Sequence, residues 1–114
     1  MLTFDCLHDM ARPLEAAQSV RRVVADDGTW LIKEVKSAGS WEGNLRNPVL
    51  ALMYGNSVTT CMSCGLSEEG GAGLGTLGLP PERLERMCRE AGFTGAFTTH
   101  DIGDPANLYH EVRP

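Results

Sequence analysis

The sequence lacks basic clusters, long apolar runs and internal repeats, and each absence narrows the possible functions. Its ten basic residues are scattered and its net charge is −5, which argues against a nucleic-acid-binding surface. No apolar segment approaches the roughly 18–20 residues of a membrane span, so no membrane segment is expected. The hydrophobic fraction of 42% is ordinary for a folded protein, and a chain of 114 residues can bury a usable core.

The N-terminus also lacks the basic and then apolar order of a signal peptide. We therefore expect a cytoplasmic protein whose four cysteines are reduced, because disulfides are rare in that compartment. Cys61 and Cys64 form a CxxC pair, but the chain offers no second pair and no nearby histidine pair to complete a zinc site. No metal site is predicted, and the two thiols are interpreted as small buried residues at a helix end.

The pattern of apolar residues predicts an α/β order of elements in the first half of the chain. Residues 2–7 are short and mostly apolar and are predicted to form a strand. A helix over 13–25 begins at a proline and shows near-helical apolar spacing. The run Trp30-Leu31-Ile32, within a predicted strand over 29–35, is typical of a parallel strand covered on both faces.

The middle of the chain predicts a loop over 36–47 and then an apolar helix. Asn47 is a suitable cap and Pro48 a suitable first helical residue. The helix from Val49 to about Met62 is apolar nearly all round, which indicates a buried or pocket-covering element. A glycine-rich loop follows over 67–79.

An amphipathic helix over 81–91 is predicted next, with acidic residues early and arginines late, as the helix dipole favours. Residues 93–100 and 108–113 are predicted strands. The turn chemistry of residues 104–107 between them favours an antiparallel pair.

Within the loop, Gly73–Gly78 reads G-x-G-x-x-G. A dinucleotide-binding loop of this form needs a strand directly before it and a helix that opens on its last glycine. Neither context is present, and Glu68 and Glu69 would repel a phosphate. The loop is interpreted as a flexible linker.

The order of elements and several phrases resemble the C-terminal half of a class I S-adenosylmethionine-dependent methyltransferase. The stretch from Phe4 to Met10 resembles the end of that family's fourth strand, and Ala91-Gly92-Phe93 resembles its junction before the terminal hairpin. The stretch from Gly70 to Thr76 resembles a loop of one bacterial subgroup, in which a winged-helix segment precedes the methyltransferase domain. Leu77 departs from that subgroup, which usually has a tryptophan there.

The resemblance implies a single domain over residues 1–114, the C-terminal part of a class I methyltransferase fold. It implies a partial Rossmann-like sheet, with parallel strands plus a C-terminal antiparallel hairpin, and packed helices. The family's cofactor-binding half, with its glycine-rich loop, is not in this sequence. The implied cofactor, S-adenosylmethionine, would therefore meet only the fourth-strand edge, at Phe4, Asp5 and Cys6.

His8 and Asp9 are the candidate catalytic residues. A histidine beside a carboxylate, just past a strand end, can remove a proton from a substrate hydroxyl or carboxyl. The alternative is that Asp9 caps the following turn and His8 is merely exposed. Glu34, at the end of the next strand on the same sheet edge, and Tyr54 are candidate substrate-binding residues, although a core position also explains Tyr54.

We therefore expect a methyltransferase-family fragment, inactive alone, whose ancestor methylated a small-molecule substrate. The alternative is a non-catalytic remnant or an interaction module that pairs with a partner chain. The predicted first strand carries charge only at Asp5, and an unguarded apolar edge strand favours pairing with another chain. We expect a homo-oligomer, most simply a two-fold dimer, or a complementing chain.

Overall fold

The strands form one mixed sheet. The computed structural model describes all of residues 1–114 and confirms the predicted α/β fold class. The strands are β1 (Leu2–Phe4), β2 (Trp30–Val35), β3 (Phe97–His100) and β4 (Asn107–Val112). They lie in the order β1-β2-β4-β3, with β1 parallel to β2 and β4 antiparallel to both β2 and β3.

Two long helices and several short ones connect the strands. The α-helices are α1 (Pro13–Val23), α2 (Trp41–Asn44), α3 (Leu50–Asn56), α4 (Met62–Gly65) and α5 (Pro81–Glu90). A 3₁₀ turn (Leu7–Asp9) follows β1, and a π-helical segment (Ser57–Cys61) joins α3 to α4. The predictions of α1 and α5 are confirmed, each with its proline at the start. None of the helices combines the length and apolar character that crossing a bilayer requires.

The core lies between one face of the sheet and helices α1 and α5. Trp30 and Ile32 of β2 are fully buried there, and the Trp30 ring lies 5.3 Å from that of Phe93. The cluster consists of Leu7, Ala17, Trp30, Ile32, Leu79, Leu84, Met87, Cys88, Ala91, Phe93 and Val112. On the opposite face Leu31 is only half-buried, so the prediction that β2 is covered on both faces is wrong.

The first strand is shorter than predicted because Asp5 has a left-handed backbone, with φ of 48°. An extended strand cannot continue through that conformation, although aspartate adopts it more readily than most residues. The Asp5 carboxylate accepts hydrogen bonds from Lys33 Nζ, at 2.6 Å, and from the Asn107 side-chain amide. Neighbours on two other strands therefore fix the turn.

The segment after β2 differs most from prediction. The expected loop over 36–47 contains α2, which Ser40 caps by accepting a hydrogen bond from the Gly43 N–H. The expectation of a helix buried all round is wrong, because Leu52 and Val58 are exposed and only one stripe is buried. That stripe consists of Met53, Ser57 and Cys61.

The glycine-rich loop has no helix or strand, as predicted, but it is not a free linker. Thr76, Leu77 and Leu79 are buried, and the Thr76 N–H donates to Ser57 Oγ at 3.2 Å. The loop therefore packs against the π-helical segment. After α5, β3 begins four residues later than predicted because Phe93 lies in the core rather than in the strand ladder.

Candidate functional site

The parallel pairing of β1 with β2 brings the segments that follow both strands to one edge of the sheet. His8 in the 3₁₀ turn and Glu34 near the end of β2 meet there, and they are only 4% and 1% exposed. Nδ1 of His8 lies 2.5 Å from Oε2 of Glu34. The other carboxylate oxygen accepts the Leu7 N–H at 2.9 Å. Both oxygens of Glu34 are therefore engaged by the turn that carries His8.

This contact determines which nitrogen of His8 is available. An ionised carboxylate only accepts hydrogen bonds, so Nδ1 of His8 must be the donor. In the neutral ring the proton then lies on Nδ1, and Nε2 carries the free lone pair. Glu34 thus fixes both the orientation and the tautomer of His8.

Asp9 lies on the Nε2 side of the His8 ring, and Cys61 lies close to both residues. Nε2 is 3.2 Å from Oδ1 of Asp9, whose side chain is 39% exposed. Cys61 Sγ belongs to the same group, since one ligand atom from each of His8, Asp9 and Cys61 lies within 4.8 Å of the others. The Cys61 thiol is also 3.0 Å from the Thr76 hydroxyl. The 3₁₀ turn, the π-helical segment and the glycine-rich loop therefore converge on one cluster.

The charges around the cluster shift its pKa values. Burial alone would lower the pKa of His8, but the hydrogen bond that His8 donates to Glu34 and the charges of the nearby carboxylates outweigh it and raise the pKa. Burial raises the pKa of the Cys61 thiol, and the nearby Asp9 carboxylate raises it further. His8 therefore has increased proton affinity, while Cys61 is favoured as the neutral thiol.

The structure brings only some of the predicted site residues together. His8, Asp9 and Glu34 meet directly, so the alternative that His8 is exposed is wrong. Cys6 is half-buried next to the turn. Its burial raises the pKa of its thiol, and the negative charge of Glu34 adds a smaller increase. Tyr54 lies instead against Trp41, with ring centroids 5.4 Å apart.

Two of the residues predicted to contact the cofactor, Phe4 and Asp5, have different environments in the structure. The Asp5 carboxylate is held by Lys33 and Asn107, and the Phe4 side chain is largely exposed on the open face of the sheet. The interpretation of Cys61 and Cys64 as two buried thiols is wrong for Cys64, which is exposed.

Sequence reasoning missed the roles of Cys61, Thr76 and Ser57 in this cluster. The missing signal was the helical spacing of Met53, Ser57 and Cys61, which marks one buried stripe through α3 and the π-helical segment. π-Helical turns occur frequently at functional sites. Neither cleft on the surface is lined by His8, Asp9 or Glu34, and His8 and Glu34 are both buried.

Comparison with known proteins supports the fold. No protein-family model matches the sequence, and no curated protein matches it. Among solved structures, an O-methyltransferase family protein from Burkholderia thailandensis is similar, with a TM-score of 0.60 and 22% sequence identity. The likeness covers 98% of this chain and 29% of that protein, so the chain spans less than a third of its neighbour's length. At this identity the likeness shows a methyltransferase-like fold and nothing further.

Proposed function

We propose that residues 1–114 supply the proton-accepting part of a methyltransferase that acts on a small-molecule hydroxyl group. His8 is the general base in this proposal, and Glu34 is its positioning residue. The observation that carries it is the buried 2.5 Å contact between His8 and Glu34, which leaves the Nε2 lone pair free. The likeness to an O-methyltransferase family protein supports the reaction class. The subgroup with a preceding winged-helix segment stays a prediction.

In the proposed step a substrate O–H donates its proton to Nε2 of His8. The oxygen is then a stronger nucleophile toward an electrophilic methyl group, and the imidazolium that forms keeps its hydrogen bond to Glu34. General base catalysis of this kind contributes about 10²–10⁴-fold to a rate. Because both oxygens of Glu34 are occupied, we assign it to holding His8 rather than to the substrate contact predicted from sequence.

The methyl donor implied by the resemblance is S-adenosylmethionine, which supplies an electrophilic methyl group when bound. The described residues do not fit it alone, because the carboxylate of Asp5 is already bound by Lys33 and Asn107. Phe4 and Cys6 offer a sheet edge without the glycine-rich loop of the fold family. The proposal therefore assigns only proton transfer to these residues and expects the donor to be held by a complementing segment.

Substrate access requires a local rearrangement. Nε2 of His8 faces Asp9, and Cys61 of the π-helical segment lies close by, so a hydroxyl group can reach it only if the Asp9 carboxylate or that segment moves aside. Asp9 is the more mobile candidate because part of its side chain reaches solvent. The ancestral substrate is a small molecule in this proposal.

The second candidate is a non-catalytic remnant or interaction module. The burial of His8, and the absence of the cluster from both surface clefts, favour this alternative. In that case the contact between His8 and Glu34 serves only to fix the turn after β1.

The deciding experiment combines the chain with a polypeptide that carries the cofactor-binding half, identified from the reading frames beside its gene. Formation of S-adenosylhomocysteine is measured with a panel of phenols and other small hydroxyl compounds. We expect turnover, with kcat about 100-fold lower in His8→Gln and unchanged in Cys64→Ser, an exposed matched control. No turnover on any compound, or full activity in His8→Gln, would overturn the proposal.

The positioning role of Glu34 is tested separately by nitrogen NMR of the His8 ring. Glu34→Gln should change the ring's tautomer populations as well as kcat. A variant that lowers kcat but leaves the ring spectrum unchanged would contradict that role.

A further inference from the structure

The cluster at the sheet edge has the composition and spacing of a metal site. One ligand atom from each of His8, Asp9 and Cys61 lies within 4.8 Å of the other two, and Nε2 of His8 is 3.2 Å from Oδ1 of Asp9. In a tetrahedral zinc site with bonds of about 2.0–2.3 Å, neighbouring ligand atoms are about 3.3–3.6 Å apart. Only small shifts would place all three atoms around one ion.

Two of these atoms have little else to bind. Oδ1 of Asp9 is buried and has no hydrogen-bond partner of acceptable geometry. A buried carboxylate oxygen without a partner is costly, and a cation would satisfy it. Nε2 of His8 faces the same oxygen, on a side chain that is only 5% exposed. The two atoms are therefore close enough to be neighbouring ligands of one cation.

Glu34 completes the arrangement from the other side of the ring. Histidines that bind metals usually donate their second N–H to a carboxylate, which fixes the ring and increases its basicity as a ligand. The Nδ1 contact of His8 with Glu34, at 2.5 Å, is of this kind. This contact is independent of the three ligand atoms, and it points to the same conclusion.

We propose that His8, Asp9 and Cys61 bind one thiophilic divalent cation, with Zn²⁺ as the best match and the fourth position open. A mixed nitrogen, oxygen and sulfur set suits zinc, whereas an all-oxygen set would suit magnesium or calcium. Cys61 binds as the thiolate, and its proton leaves to solvent as the metal–sulfur bond forms. The exposed Cys64 is not part of the site, so this is not a CxxC zinc site.

The site would compete with the proposed methyl transfer because both use Nε2 of His8. Metal binding itself does not depend on that activity. A bound ion would hold the 3₁₀ turn and the π-helical segment together, and it would exclude a substrate hydroxyl from His8.

The test is a titration of the full, reduced 114-residue chain with Co²⁺, followed by competition with Zn²⁺. We expect a sulfur-to-cobalt charge-transfer band at one equivalent that Zn²⁺ removes. The band should disappear in Cys61→Ser and persist in Cys64→Ser, the other half of the CxxC pair. Glu34→Gln should weaken binding about 10–100-fold through loss of its support of His8.

Asp9→Asn, which keeps the size of the side chain, is a second ligand variant, needed in case Cys61→Ser loses the band only because it disturbs the fold. Circular dichroism should show both variants folded, and Asp9→Asn should bind Co²⁺ at least about tenfold more weakly. Absence of a thiolate band in the folded wild-type chain would overturn the proposal. A band that is lost in Cys64→Ser would do so as well, because it would place the ion on the CxxC pair.

Discussion

Nδ1 of His8 and Oε2 of Glu34 lie 2.5 Å apart across 26 residues of sequence, and both side chains are buried. The contact exists because β1 and β2 are parallel neighbours, so the turn after β1 lies beside the end of β2. A charged carboxylate is held in the interior only because every oxygen has a donor, from Leu7 and from His8. The pair links the fold to the candidate chemistry, and its loss should affect both.

Glu34→Gln should lower the free energy of unfolding by about 1–3 kcal/mol. The amide keeps a single acceptor oxygen, so either the Leu7 N–H is left buried without a partner or the charge-assisted hydrogen bond from Nδ1 of His8 is lost. Urea unfolding followed by circular dichroism measures the change. The control is Glu15→Gln, which breaks an exposed contact with Arg12 and should cost less than about 0.5 kcal/mol. Equal effects of the two variants would contradict this account.

His110 should make the fold sensitive to mild acid. It is fully buried, stacks on Phe97 and lies 2.9 Å from the Thr99 hydroxyl. Burial first, and then the charge of His100, lower the pKa of His110 to about 4. Since the folded pKa lies below the unfolded value of 6.5, the stabilisation is present above pH 6.5. It is lost as the pH falls toward 4, by at most about 3 kcal/mol.

The measurement is urea unfolding between pH 7.5 and 4.5 for the wild type and for His110→Gln. The wild type should lose stability more steeply, because the variant has no buried imidazole to protonate. His100→Gln, which changes a partly exposed histidine on β3, should keep most of the wild-type slope, because burial is the larger cause of the His110 shift. Parallel curves for wild type and His110→Gln would show that protonation of His110 does not destabilise the fold.

The sequence was sufficient to predict the elements whose local signals agree with their packing. The prolines at Pro13 and Pro81 begin α1 and α5, and the apolar stripe that contains Leu84 and Met87 lies on the core as predicted. The antiparallel hairpin followed from its turn residues, and it is confirmed. In these places tertiary contacts reinforce what local propensity already favours.

The remaining features depend on contacts between distant residues, which no local pattern contains. The left-handed backbone of Asp5, which shortens β1, is fixed by Lys33 and Asn107. The inclusion of Cys61 in the candidate site depends on a π-helical turn and on the glycine-rich loop packing against it. His8 and Glu34 were identified singly from their positions after strands, but only the sheet register shows that they touch.

The 114-residue chain alone should not bind S-adenosylmethionine usefully. The sheet edge at Phe4, Asp5 and Cys6 cannot replace the N–H groups with which a methyltransferase-like fold's cofactor-binding loop would hold the donor, and each lost polar contact costs about 1–3 kcal/mol. The Asp5 carboxylate is also occupied. Isothermal titration calorimetry should give no dissociation constant tighter than about 100 μM, or roughly −5.5 kcal/mol. A tighter value that is lost in Cys6→Ser would show that this edge suffices.

The last prediction concerns the open edge of β1, one of the two outer strands of the sheet. The carbonyl of Met1 accepts a hydrogen bond from β2, and the N–H of Asp5 donates one to β2. In a strand successive residues point their backbone groups to opposite sides, so Leu2 and Phe4 present theirs to the open edge. Leu2 and Phe4 are 62% and 52% exposed. The strand contains no lysine or proline, the residues that commonly prevent an edge strand from pairing. Such an edge is suited to pairing with another strand.

We therefore expect the chain to self-associate through β1, most simply as a two-fold dimer, or to pair with a complementing chain. Light scattering coupled to size exclusion should show more than one protomer at high micromolar concentration. Phe4→Lys should shift the chain toward the monomer, because a charge at an edge strand opposes pairing. Ile102→Lys, a matched change at a residue that is 69% exposed between β3 and β4, should have no effect. A wild-type monomer whose Leu2 and Phe4 amides exchange slowly would show that the edge is already covered within one chain, contrary to this prediction.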